Sequence, residues 1–104
     1  MATNDKLYSM LSLAQKAGAL CLGWHTMARY LTKKKGSLLI LANDAGETTK
    51  KRILELSLRY EVPLMEWGQK REFAKIFNRP VAAVLLTNKD FVHPFYQEGG
   101  NLKS

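Results

Sequence analysis

One cysteine, Cys21, is all the thiol chemistry that this sequence holds, which excludes an internal disulfide and any metal site built from several cysteines. No apolar run approaches the ~18 residues that a membrane-spanning helix needs, so no membrane partner is expected. The opening Met1 to Asp5 lacks the basic and apolar regions of a secretion signal, and with the lone thiol it reads as cytoplasmic. No internal repeat, linker or low-complexity block divides the chain, so residues 1–104 read as one domain with frayed ends at 1–4 and 97–104. His25 and His93 stand far apart without a supporting carboxylate or cysteine cluster, so no metal site is assigned. There is no Walker-type glycine loop and no nucleophile-elbow sequence. The Asn43-Asp44 pair with Glu47 reads as a turn and the acidic start of a helix rather than a catalytic cluster. No enzyme, catalytic residue or cofactor is expected.

Acidic residues are also scarce. Nine Asp and Glu face sixteen Lys and Arg, a formal charge of +7. Phosphate neutralisation supplies most sequence-independent nucleic-acid affinity, so this imbalance favours a nucleic-acid partner. A basic surface also serves solubility alone.

What is present alternates between helix and strand. Lys6 to Ala17 places apolar residues at Leu7, Met10, Leu11, Leu13, Ala14 and Ala17, a helical spacing with Gly18 suited to the left-handed position after its end. A short apolar strand, Leu20 to Leu22, precedes Gly23 and a second helix from Trp24 to Lys34, which buries Met27, Tyr30 and Leu31 and closes at Gly36. Leu38 to Ala42 is continuously apolar, as in a central strand covered on both faces. A third helix runs from Glu47 to Tyr60, with Ile53, Leu54, Leu56, Leu58 and Tyr60 as its apolar side. Strands Leu64–Trp67 and Val81–Leu86 flank a short helix, Lys70–Phe77, and a last helix begins after Asn88 and is cut short by Pro94. Strands alternating with helices imply an α/β/α sandwich.

The chemistry concentrates around Gly23. A helix N-terminus turns unpaired N–H groups and positive partial charge outward, and a glycine there leaves the backbone open to an anionic partner. Thr26, Arg29 and Lys33 follow at spacings that place them on one helix face. The arrangement points to RNA. Arg29, a turn inside the helix, is the stronger contact candidate, whereas Lys33-Lys34-Lys35 reads equally as a helix end complementing its dipole. Trp24 suits either a stacked base or a core anchor; Lys16 suits either phosphate contact or a solvated face. Trp67 reads as core or edge packing and Cys21 as core.

Three segments resemble the kink-turn-binding ribosomal-protein family that includes large-subunit proteins seven-Ae and thirty-e, and within it the small bacterial YlxQ-type branch. They are Leu13-Ala-Gln-Lys-Ala-Gly18 through Gly23; Leu38-Leu-Ile-Leu-Ala-Asn-Asp-Ala45 followed by Thr48-Thr-Lys-Lys51; and Val62-Pro63 with the later Ala82-Ala-Val-Leu-Leu86. Together they span about Lys6 to Phe91. The likeness implies a three-layer α/β/α sandwich around a mixed four-stranded sheet, and binding to a sharply bent internal loop of RNA. The family's Gly-x-Asn-Glu-x-x-Lys places its glycine on Gly23 and its lysine on Arg29, which keeps the charge and adds a planar donor fork. Its asparagine and glutamate fall on His25 and Thr26, departures that keep polar groups at the positions reading sheared G·A pairs. The family's second contact, a loop of small apolar residues beneath an extruded base, falls on Asn78 to Ala82; Val81 and Ala82 meet the base and Arg79 a phosphate.

The expected site is therefore Lys16, Gly23, Trp24, His25, Thr26, Arg29, Lys33, Arg79, Val81 and Ala82. The expected partner is ribosomal or other structured RNA, with ribosomal proteins as further candidates and the chain itself a monomer. The alternative is a protein-interaction module on the same scaffold whose basic face meets an acidic partner.

Overall fold

The structure, a computed structural model, describes residues 5–98 and 102–103. Helix α1 (Asp5–Lys16) leads through Gly18, at φ 70°, into β1 (Leu20–Cys21). There follow α2 (Trp24–Thr32), β2 (Leu38–Leu41), α3 (Glu47–Tyr60), β3 (Leu64–Glu66), α4 (Lys70–Phe77) and β4 (Ala83–Leu86). A 3-10 turn, Lys89–Phe91, joins β4 to α5 (His93–Glu98), and β5 (Leu102–Lys103) ends the chain's regular structure.

The expected mixed four-stranded sheet is present, with one short strand added. Its order is β1-β4-β2-β3-β5; β4 lies antiparallel to β1 and β2, β2 is parallel to β3, and β5 is antiparallel to β3. Order extends further than the fraying expected from residue 97, because α5 continues to Glu98 and Leu102–Lys103 pairs with β3. The fraying expected of residues 1–4 lies outside the described residues.

All four residues of β2 are buried, as the unbroken apolar run predicts, because the strand alternates between two cores. Leu38, Ile40 and Ala42 join Val84 and Leu86 beneath α1, α4 and α5; Leu39 and Leu41 join Ala83 and Leu85 beneath α2 and α3. The two helical layers differ in chemistry. On the first, Trp67 packs at a tilt against Tyr8 at 4.5 Å and meets Phe95 edge-on at 5.6 Å, while Phe73 bridges to Phe77 at 6.4 Å. Of the two readings of Trp67, core and edge, the structure gives core. Tyr8 hydroxyl accepts from the Gln69 N–H at 3.2 Å, and burial raises its pKa. The second layer is aliphatic: Met27, Leu31, Ile53, Leu56 and Val62 cover the sheet.

Four local expectations are corrected. Helix α2 stops at Thr32, short of Lys34, because Lys34 itself turns left-handed at φ 59°, with its N–H on the Leu31 carbonyl at 2.9 Å. Gly36 serves close packing instead: a Cβ there would lie 2.6 Å from Leu31 Cδ2 and 2.9 Å from Leu85 Cδ1. Pro94 does not cut the last helix but stands in its first turn, where its missing N–H has no intrahelical partner to lose. On α3, Leu54 and Leu58 face solvent at 46% and 63% exposure. Ile53, Leu56 and Ser57 face the sheet, and the Ser57 hydroxyl donates to the Val62 carbonyl at 2.6 Å. Tyr30, expected in the core, is half-buried.

Asp44 does more than form its turn. Its Oδ1 accepts the Lys70 N–H at 2.9 Å, which caps α4 from the loop after β2 and places negative charge at that helix's positive end.

Gly68 tests the aromatic layer. It sits at φ 88°, and a Cβ there would lie 2.7 Å from Phe73 Cε1, on a ring with no exposure. Left-handed strain and overpacking each cost about 1–3 kcal/mol. Gly68→Ala is expected to destabilise the protein by about 2–4 kcal/mol, read as a lower urea midpoint at unchanged slope.

Candidate functional site

The N-terminus of α2 turns uncapped N–H groups outward. Gly23 is its N-cap at φ 89°, ψ 139°, with no side-chain cap and no acidic residue in the first turn, so the helix's positive end is left uncompensated. The positive φ explains the glycine: a side chain is strained in this region.

The chain register decides what stands opposite. Leu20 pairs with Leu86 and Cys21 with Leu85, so the residues after β1 run level with those before β4. Arg79 Nη2 consequently lies 3.9 Å from where a Cβ on Gly23 would be. The two segments singled out in the sequence, Gly23 onward and Asn78 to Ala82, meet although more than fifty residues separate them.

Between them lies a cavity of about 180 Å³, lined by Gly23, Trp24, Met27, Thr49, Arg52, Ile53 and the run from Arg79 to Ala83. Its floor is apolar, from Met27, Ile53, Val81 and Ala83, all buried. Its rim is cationic. Arg79 is exposed, and the Arg52 guanidinium carbon sits 5.2 Å from the centroid of the half-buried Trp24 ring, within cation–π range. No acidic side chain lines it among the described residues. The far ends of the two helices that flank it are tied by a hydroxyl pair, Thr32 to Tyr60 at 3.3 Å.

Of the ten expected site residues, Gly23, Trp24, Arg79, Val81 and Ala82 line this cavity. His25 and Arg29 are exposed and Thr26 half-buried on α2, beside it but outside its lining. Lys33 caps the far end of α2. Lys16 ends α1 before Ala19, whose carbonyl accepts the Thr87 N–H; both lysines thus fall toward the opposite end of the sheet. Sequence reasoning missed Thr49 and Arg52. Their signal lies in the spacing Thr49, Arg52, Ile53, one helix face on which the buried Ile53 aims its polar neighbours at α2.

Among the described residues no group of three or more His, Cys, Asp or Glu converges as a metal site would require, and no helix is long and apolar enough to cross a membrane. Cys21, next to the site in β1, is buried, and burial pushes its thiol up to about 11.

This geometry belongs to a known class. Residues 5–93 match the ribosomal protein L7Ae/L30e/S12e/Gadd45 family, and the chain belongs to that family, a membership consistent with a non-catalytic protein. Within it, the chain is 32% identical over 77 residues to the "RNA-binding protein YlxQ" of Enterococcus faecium, an alignment spanning 74% of this chain and 75% of that protein. A solved structure of a protein of unknown function from Bacillus halodurans C superposes with a TM-score of 0.78 at 24% identity, over 88% of this chain and 94% of that one; at that identity the likeness is one of fold.

The raised thiol pKa fixes a reactivity. At pH 8 the native protein holds almost no thiolate, the nucleophilic form. Ellman's reagent is therefore expected to label Cys21 at least about a hundredfold more slowly in the native protein than in urea. The native rate should climb as pH rises toward 11. Fast native labelling at pH 8 would contradict the burial described.

Proposed function

We propose that the protein is a non-catalytic RNA-binding protein that holds a kink-turn or a similar sharply bent internal loop, acting in the cytoplasm in association with ribosomal RNA. The observation that carries this reading is the convergence of the uncapped α2 N-terminus with the Arg79–Ala82 loop around one cavity. Family membership and the name of the Enterococcus faecium relative support RNA as the partner.

The proposed mechanism divides by chemistry. Backbone N–H groups at the start of α2 approach the bent phosphates, with the Gly23 surface open to them. An unstacked base enters the cavity, its faces against Val81, Ala82 and Trp24; splayed-out bases are the usual targets of specific RNA recognition. Arg79 and Arg52 neutralise phosphates at the rim. His25, Thr26 and Arg29 lie along the exposed side of α2 and reach the groove edges at the G·A pairs, where the Arg29 fork offers bidentate donation. No chemical step is needed: a greater affinity for the kinked state than for the extended one is enough to stabilise the bend.

A gel-shift titration at fixed salt tests this. One duplex carries a standard kink-turn; in the other, Watson–Crick pairs replace its G·A pairs. The kinked RNA is expected to bind at least tenfold more tightly. Arg29→Glu and Arg79→Glu are each expected to weaken that binding by about ten- to a hundredfold, in line with about 1–3 kcal/mol per specific contact. Equal, weak binding to both duplexes would overturn kink-turn recognition. A log–log salt slope near zero, instead of about −0.7 to −0.9 per phosphate contact, would overturn RNA binding itself and favour an acidic protein partner.

A further inference from the structure

The lysine run after α2 has no part in the site around Gly23. The nine residues of α2 rise about 1.5 Å each, which carries Lys34 and Lys35 to the other end of the sheet, where β4 finishes. There two concavities share Gly36, Ser37 and Lys89 along a common wall. One continues past Val92 to His93 and Tyr96; the other continues to Lys34 and Lys35 and on to Asn88 and Asp90. Their volumes are about 470 and 520 Å³.

Both walls of this groove are held in place. Lys35 donates its N–H to the Tyr30 carbonyl at 2.9 Å, and Ser37 donates to Leu86 at 2.7 Å. Gly36 is pressed between Leu31 and Leu85. On the facing side, the Asn88 side chain accepts the Asp90 N–H at 2.8 Å and fixes the turn that carries Lys89. The turn thus places Lys34 and Lys35 along the same concavity as Lys89, a lysine more than fifty residues away. Asp90 is the one acidic lining residue among those described. Tyr96, 47% exposed, lines one end.

We propose that this groove is a second nucleic-acid site, which takes a single-stranded RNA segment with its phosphates on Lys34, Lys35 and Lys89 and one base stacked on Tyr96. Lysines tracking a backbone beside an aromatic platform are what a sequence-tolerant single-strand site requires. The proposal goes beyond the kink-turn reading and does not depend on it. With both ends of the sheet occupied, the protein bridges two RNA segments.

The test uses fluorescence polarisation of a fluorescein-labelled ten-nucleotide oligouridylate with the whole protein. The Lys34→Gln/Lys89→Gln variant is expected to lose at least tenfold in affinity and to flatten the log–log salt slope by about 1.4, at ~0.7 per single-strand phosphate contact. Tyr96→Ala, which leaves charge unchanged, is expected to lose about fivefold or more, as a stacked base predicts. Arg71→Gln, at an exposed charge that lines neither site, is expected to stay within about twofold of wild type. All these side chains are exposed, so thermal unfolding should report folded variants. Absence of measurable binding by the wild type, or wild-type affinity in the lysine variant, would overturn the proposal. So would loss of binding in Arg79→Glu alone, which would assign the oligonucleotide to the Gly23 site. The kink-turn gel shift reads the first site separately, so failure of one reading leaves the other measurable.

Discussion

The antiparallel pairing of β4 between β1 and β2 is the contact on which both ends of this molecule depend. Register with β1 sets Cys21 opposite Leu85, and register with β2 sets Leu41 opposite Ala83. Those two ladders bring the Arg79–Ala82 loop to Gly23 at one end and Thr87–Lys89 to Ser37 at the other. A slip of one residue would exchange the faces of Val84 and Leu85, exposing each core to the wrong layer and separating Arg79 from Gly23. The register is therefore held by how each side chain fits its own core, Val84 and Leu86 on one face and Ala83 and Leu85 on the other, rather than by any contact within the site.

The two helical layers divide the work. Rings on the side of α1, α4 and α5 pack around Trp67, and the edge-to-face pair that it makes with Phe95 adds stability beyond burial. The opposite layer packs aliphatic side chains and turns its polar and cationic residues to the cavity. Asp44 links the layers: it stands in the loop between β2 and α3, yet bonds to the first turn of α4.

Much of the fold was legible because its signals are local. The unbroken Leu38–Leu41 run announced a doubly covered strand, and Gly18 and Gly23 marked positions that proved left-handed. The misreadings came where two local signals compete. Helix α3 offers apolar residues on nearly every face, so spacing alone could not tell Ile53 and Leu56 from the exposed Leu54 and Leu58; burial of Ser57 decided between them. Near Gly36 the glycine signal was real but concerned space, not helix termination, since the turn itself falls on Lys34. Of the candidate site, the Gly23 and Arg79 segments were visible by resemblance, whereas Arg52 was not. Its place over Trp24 depends on how α3 packs on α2, a tertiary fact that no short window contains. Lys16 and Lys33 looked close in sequence to Gly23, but a strand and a helix run from it in directions that carry both away.

The sheet's borders decide what kind of contact this molecule can make with another polymer. The strands at its two edges, β1 and β5, are only two residues long each. Long exposed edges offer unpaired backbone to incoming chains, and short ones withhold that template. A peptide seeking to add itself as a further strand would find almost no ladder to extend. Strand addition is thereby disfavoured, and helix ends, loops and long side chains are the surfaces left open to a partner.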